Sequence, residues 1–115
     1  KLEELTGIEA SENQARLILS DLNYYLAKHG NMTATGKSVG TFKWLTNVYE
    51  PLVARITESW HGEDPVQGYC DFLHHRMVLA SARGADIPNE EAFESWISEG
   101  FPGFPLDDGQ RVPSI

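Results

Sequence analysis

Residues 71–76 bring a carboxylate, two imidazoles and a guanidinium together, as Asp71, His74, His75 and Arg76. On a helix the i,i+3 pair Asp71–His74 and the i,i+4 pair Asp71–His75 can each meet on one face. Acid-x-x-His is also the spacing with which helical bundles hold paired metal ions, facing helices adding further carboxylates. Glu50, beside Pro51, is the natural partner for that chemistry. A paired-metal site needs two such motifs and two more glutamates. The predicted helices carry a single motif, so no metal and no cofactor is assigned. The simpler reading is an ion-pair network, in which Arg76 pairs with Glu50 or Asp71 while one histidine packs its ring and the other faces water. Consecutive helices joined by a short connection pack antiparallel, which places residues 50–53 near residues 71–76. Arginine's planar fork suits a carboxylate better than imidazole does, so a Glu50–Arg76 pair is expected.

Other chemistry-bearing residues give weaker signals. His29 and His61 fall near predicted helix ends and read as ordinary surface residues. Gly36, Gly40 and Thr41 do not form a phosphate loop, because the glycine and lysine spacing is wrong. Ser11, Ser20, Ser81 and Cys70 carry no local nucleophile signature, and no catalytic residue is assigned. The lone Cys70 cannot pair within the chain and reads as a small buried apolar residue. Tyr49, Tyr69, Phe93 and Trp96 fit a core by spacing. Trp44 and Trp60 fall off the main stripe or just past it; contact with the core or the tail is the simpler reading, and a second apolar surface against a partner domain or a twin subunit is the alternative.

These residues are positioned by helices. Ser11-Glu-Asn-Gln14 reads as a capping box that opens a first helix over 11–29, with Ile18, Leu22 and Leu26 on its apolar side, Glu12, Arg16 and Asp21 facing away, and Gly30 as its stop. A second helix is predicted over 37–59. Its stripe runs Val39, Phe42, Leu45, Val48, Tyr49, Leu52, Val53, Ile56, and Pro51 should kink or break it near Glu50. Asp64-Pro65 announces a third helix over 65–83, with Tyr69, Cys70, Leu73 and Met77 on one stripe, Phe72 on another, and Gly84 as its stop. A fourth, capped by Asn89, spans 89–99. No segment alternates with a period of two. The fold class is therefore all-α: a helical domain over residues 1–100, built as a small bundle of about four helices, followed by an extended Pro-rich tail over 101–115. Phe101 to Leu106 is apolar enough to lie in a surface groove, with a looser end beyond.

Composition limits the function. The hydrophobic share of 41% supports an ordinary core for 115 residues without disulfides. Seventeen acidic against 9 basic side chains give a net charge of −8, which repels phosphate backbones and anionic lipid. Neither a nucleic acid nor a membrane is expected as a partner, and no apolar stretch is long enough for a span. The start at Lys1 lacks both a methionine and a signal-peptide pattern, which points to a domain of a longer cytoplasmic protein.

Trp44-Leu-Thr-Asn-Val-Tyr-Glu-Pro51 and its continuation to Ile56, with Leu73-His-His-Arg76 and its continuation to Ile87, resemble an actinobacterial domain family of unknown function. Leu2 to Ile8 and Glu12 to Arg16 fit the same pattern, so the likeness runs over roughly residues 2–100. The family usually reads Glu-His-Arg where this chain has His74-His75-Arg76, so a role for the family's acid does not carry over to position 74. In that family the domain follows a region similar to lipopolysaccharide (Kdo-type) kinases. The resemblance therefore implies a non-catalytic accessory or interaction domain, partnered by a kinase-like domain of the same polypeptide, another protein or a second copy. The alternative is a helical metal-binding or enzymatic domain built on the Asp71/His74/His75 turn.

Overall fold

The computed structural model describes residues 3, 6–29, 34–60, 62 and 64–103, and among these every regular element is helical. Helix α1 is Glu12–Lys28. Its capping box forms as read: Gln14 N–H donates to Ser11 Oγ, and Ser11 N–H donates back to Gln14 Oε1. The expected stop at Gly30 lies outside the described residues.

The second helical run begins at Ala34, earlier than predicted, and is not interrupted at Glu50. It comprises α2 (Ala34–Trp44), a π turn (Leu45–Tyr49) and α3 (Glu50–Ser59). Proline lacks a donor and crowds the carbonyl four residues back. Here Pro51 stands in the first turn of α3, where that lack is harmless, and the π turn precedes it, closed by Glu50 N–H donating to the Leu45 carbonyl. Residues five apart point well away from each other in an α-helix, but an i→i+5 turn brings them nearly into line. Trp44 and Tyr49 thus both reach the core, with ring centroids 5.4 Å apart.

The same turn corrects the predicted stripe. A single 3.6-residue period drawn from Val39 to Ile56 assumes a uniform helix. The wider turn shifts everything before it out of phase with everything after. Leu52 and Ile56 are buried as expected, whereas Val39 is 46% exposed and Phe42 66%. Trp44 is fully buried, which settles it in the core and not on a second apolar surface.

Helix α4 (Pro65–Arg83) is the centre of the bundle and packs against α1, α3 and α5. Asp64 caps it by accepting from Val66 N–H, and Gly84 ends it in the left-handed region at φ 76°. Its residues 68–73 are all buried. Met77, expected on the buried stripe, is 53% exposed, because the C-terminal half of α4 emerges beside a cleft. Helix α5 (Asn89–Ser98) has Pro88, not Asn89, at its N-cap. It ends in a Schellman turn, with Phe101 N–H donating to Trp96 O and Gly100 N–H to Ile97 O. The Phe101 ring stands edge-on to Trp96 at 4.9 Å, and Trp96 Nε1–H donates to Pro102 O. The start of the tail therefore packs as expected, and residues 104–115 lie outside the described set.

Aromatic rings link the helices in a chain from Trp44 and Tyr49 through Tyr69 and Phe72 to Phe93 and Trp96. Trp60 is half-buried beside α3. It reaches α4 over Gly68, where an added Cβ would come within 2.8 Å of Ile56 Cγ2 and 2.9 Å of Trp60 Cε3. Both neighbours are stiff. Alanine gains about 1 kcal/mol over glycine in a helix interior, but overpacking costs about 1–3 kcal/mol. Gly68→Ala should thus lower stability in urea unfolding, and an unchanged or raised midpoint would show that the α3–α4 contact has room to spare.

Candidate functional site: a cleft over a buried ion pair

Two helix stripes face each other. On α1 they are Leu17, Asp21, Tyr24 and Lys28; on α4, Leu73, Arg76, Met77 and Ala80. Both follow the spacing of one helix face. Trp44 and Val48 close one side and residues 86–89 the other, leaving a cleft of about 720 Å³.

Asp21 is buried at its base. Its Oδ2 accepts from Trp44 Nε1–H at 3.0 Å and from the Tyr69 hydroxyl at 2.8 Å. Its Oδ1 accepts from Arg76 Nη2 at 2.5 Å. Arg76 Nη1 donates in turn to Asn89 Oδ1 at 2.6 Å. One carboxylate therefore ties α1 to α2 and α4, and its arginine carries the tie on to α5. Burial, then the neighbouring Asp21 carboxylate, hold the Tyr69 phenol well above its ordinary pKa, so it stays a donor. At the mouth, Tyr24 donates to Asp86 Oδ2 at 2.5 Å, and Lys28 lies 5.6 Å from the Tyr24 ring centroid.

The predicted polar turn is taken apart by this arrangement. Arg76 pairs with Asp21 rather than Glu50, which is exposed and forms no ion pair among the described residues. Helices α3 and α4 do pack together, with Ile56 and Trp60 against Gly68, but Arg76 points to the α1 side. Asp71 Oδ1 accepts from Gln67 Nε2, within a network that runs through Gln14 Nε2 to Gln67 Oε1. His75 Nε2 meets Ser95 Oγ at 2.9 Å. Asp71 thus bonds within α4, His75 meets α5, and Arg76 reaches α1 and Asn89. His74 is half-buried, and burial lowers its pKa despite the opposing pull of Asp71. Among the described residues no three His, Cys, Asp or Glu side chains converge as metal ligands, and no helix is long and apolar enough to cross a membrane. His61 lies outside the described residues.

Asp21 is the functional residue that the sequence reading turned outward. Its register was informative: Ile18, Asp21, Leu22 and Tyr25 stand at i, i+3, i+4 and i+7. An acid on that stripe must find buried donors. Asn89, read as a cap, spends its side chain on Arg76 instead.

With this geometry in place, residues 1–101 match the family model described as Domain of unknown function (DUF4032), and the chain belongs to that family. No curated protein and no solved structure matches the chain.

Burial also governs the acids of the core. It pushes the Cys70 thiol from 9.0 up to about 12 and the Tyr49 phenol from 10.0 up to about 12. The unfolded chain releases these protons first, so their contribution to stability is whole below pH 9.0 and is lost as pH rises toward about 12. The urea midpoint should hold level from neutral pH to 9.0 and then fall, with Cys70 unreactive toward thiol reagents until unfolding. A native chain labelled rapidly at Cys70 near neutral pH would contradict this.

Proposed function

We propose that the domain is a non-catalytic accessory module of a larger cytoplasmic protein, and that it docks on a kinase-like domain of the same polypeptide through the outer face of α2. The observation that carries this reading is the open apolar pair Val39 and Phe42, thrown outward by the π turn. A phenylalanine left two-thirds in water forgoes much of the ~1.5–3 kcal/mol that burial supplies. Lys43 shares that face, and α2 has no acidic residue although the chain carries −8 overall. The face therefore suits a partner with an apolar pocket and an acidic rim. The potentially reactive groups, by contrast, serve the fold: Cys70 is buried, Asp21 takes three donors and His75 meets Ser95.

The test is co-purification of the chain with the kinase-like region, comparing wild type with Phe42→Asp. Circular dichroism should be unchanged in the variant, because Phe42 is exposed, while the complex should weaken at least about tenfold, as loss of an interface anchor does. Complexes of equal strength would place docking elsewhere. A wild-type dimer that Phe42→Asp converts to monomer, without binding to the kinase-like region, would assign the face to a second copy.

A further inference from the structure

We propose that the α1/α4 cleft binds a small organic anion, an apolar body carrying one carboxylate, sulfonate or phosphate that seats on Arg76. This inference does not rest on docking through α2. The cleft volume of about 720 Å³ falls within the roughly 300–1,000 Å³ of small-molecule sites. Its walls supply Leu17, Leu73 and Met77 for an apolar body.

The polar groups decide the sign of the ligand's charge. Of the two acids in the cleft, Asp21 takes three donors, and Asp86 takes the Tyr24 hydroxyl on one oxygen. The cations have donors to spare. Arg76 uses one N–H on Asn89 and one on Asp21, out of the five a guanidinium offers. No buried side-chain nitrogen among the described residues lacks a partner, so the unspent Nε–H is reached by solvent. The fork is held from two sides by Asp21 and Asn89, so a ligand need not order it. Lys28 adds a second cation seven residues along α1 from Asp21, about 10 Å away at the helical rise. In a chain of net charge −8, the cleft balances Arg76 and Lys28 against Asp21 and Asp86 and adds His29. With the buried Asp21 committed to three donors and N–H groups of Arg76 and Lys28 still available, an anion is the complementary guest.

Anilinonaphthalene sulfonate serves as the probe, with phenylnaphthylamine as the same ring system lacking the sulfonate. Wild type should take up one equivalent of the sulfonate saturably and bind the uncharged dye about tenfold more weakly, the loss expected for one charge-assisted hydrogen bond. Arg76→Lys tests the fork directly but disturbs the buried pair. Met77→Glu is therefore the second variant, because Met77 is half exposed and the new carboxylate lines the cleft. Both dyes lose the apolar contact with Met77, so the added carboxylate should weaken the sulfonate about tenfold more than it weakens the uncharged dye. Equal affinity for the two dyes, no saturation, or a Met77→Glu chain that binds like wild type would overturn the proposal. So would displacement of the dye by an acidic peptide but not by naphthoate, which would make the cleft a protein-docking groove.

Discussion

A buried carboxylate with too few partners would strongly destabilise this bundle, and the packing of α1, α2, α4 and α5 gives Asp21 enough. An ionised acid removed from water costs several kcal/mol unless charge and hydrogen bonds replace its hydration. Trp44, Tyr69 and Arg76 provide that replacement from two other helices. Each has its own condition. Trp44 must face inward, which the π turn arranges together with Tyr49; Tyr69 must keep its proton, which burial beside Asp21 ensures; Arg76 must be held in plane, which Asn89 does from the start of α5. The aromatic chain from Trp44 to Trp96 supplies apolar burial, while the Asp21 contacts fix which faces of the helices meet.

The π turn has two consequences of opposite kind. It brings Trp44 and Tyr49 to the core side, and it turns Val39 and Phe42 into solvent. A uniform helix would have kept the apolar stripe together and left no open face on α2. Pro51 follows the π turn directly, at the start of α3, where a residue without a donor is accommodated. The exposed apolar pair on α2 and the inward turn of Trp44 thus have one origin in the chain.

Much of the fold was legible because its signals are local. The box at Ser11 and Gln14, the Asp64-Pro65 start and the Gly84 stop depend on neighbours a few residues away, and each forms as read. The partner of Arg76 was not legible in the same way. Choosing between Glu50 and Asp21 requires knowing which helix lies on which side of α4, and both acids are within reach of a three-helix packing. The π turn leaves no trace in a periodicity drawn at 3.6 residues, so Val39 and Phe42 fall on the wrong side of that stripe and the burial of Trp44 is not fixed by it. Asp21 was different, because its place on the Ile18–Leu22 stripe was visible and its charge outweighed its register in the reading. The family assignment, by contrast, was carried by Trp44 to Ile56 and Leu73 to Ile87, whose residues serve the core and the cleft alike.

The central claim is that the Asp21–Arg76 pair couples α1 to α4 and is not an incidental contact. A double-mutant cycle with Asp21→Asn and Arg76→Met, followed by urea unfolding, tests it most directly. Each single change leaves a charged partner wholly or partly buried and should cost about 2–4 kcal/mol, less than a fully enclosed pair because Arg76 is partly exposed. The double variant should lose less than the sum, by about 1 kcal/mol or more. Single losses below about 0.5 kcal/mol, or losses that simply add, would contradict the account.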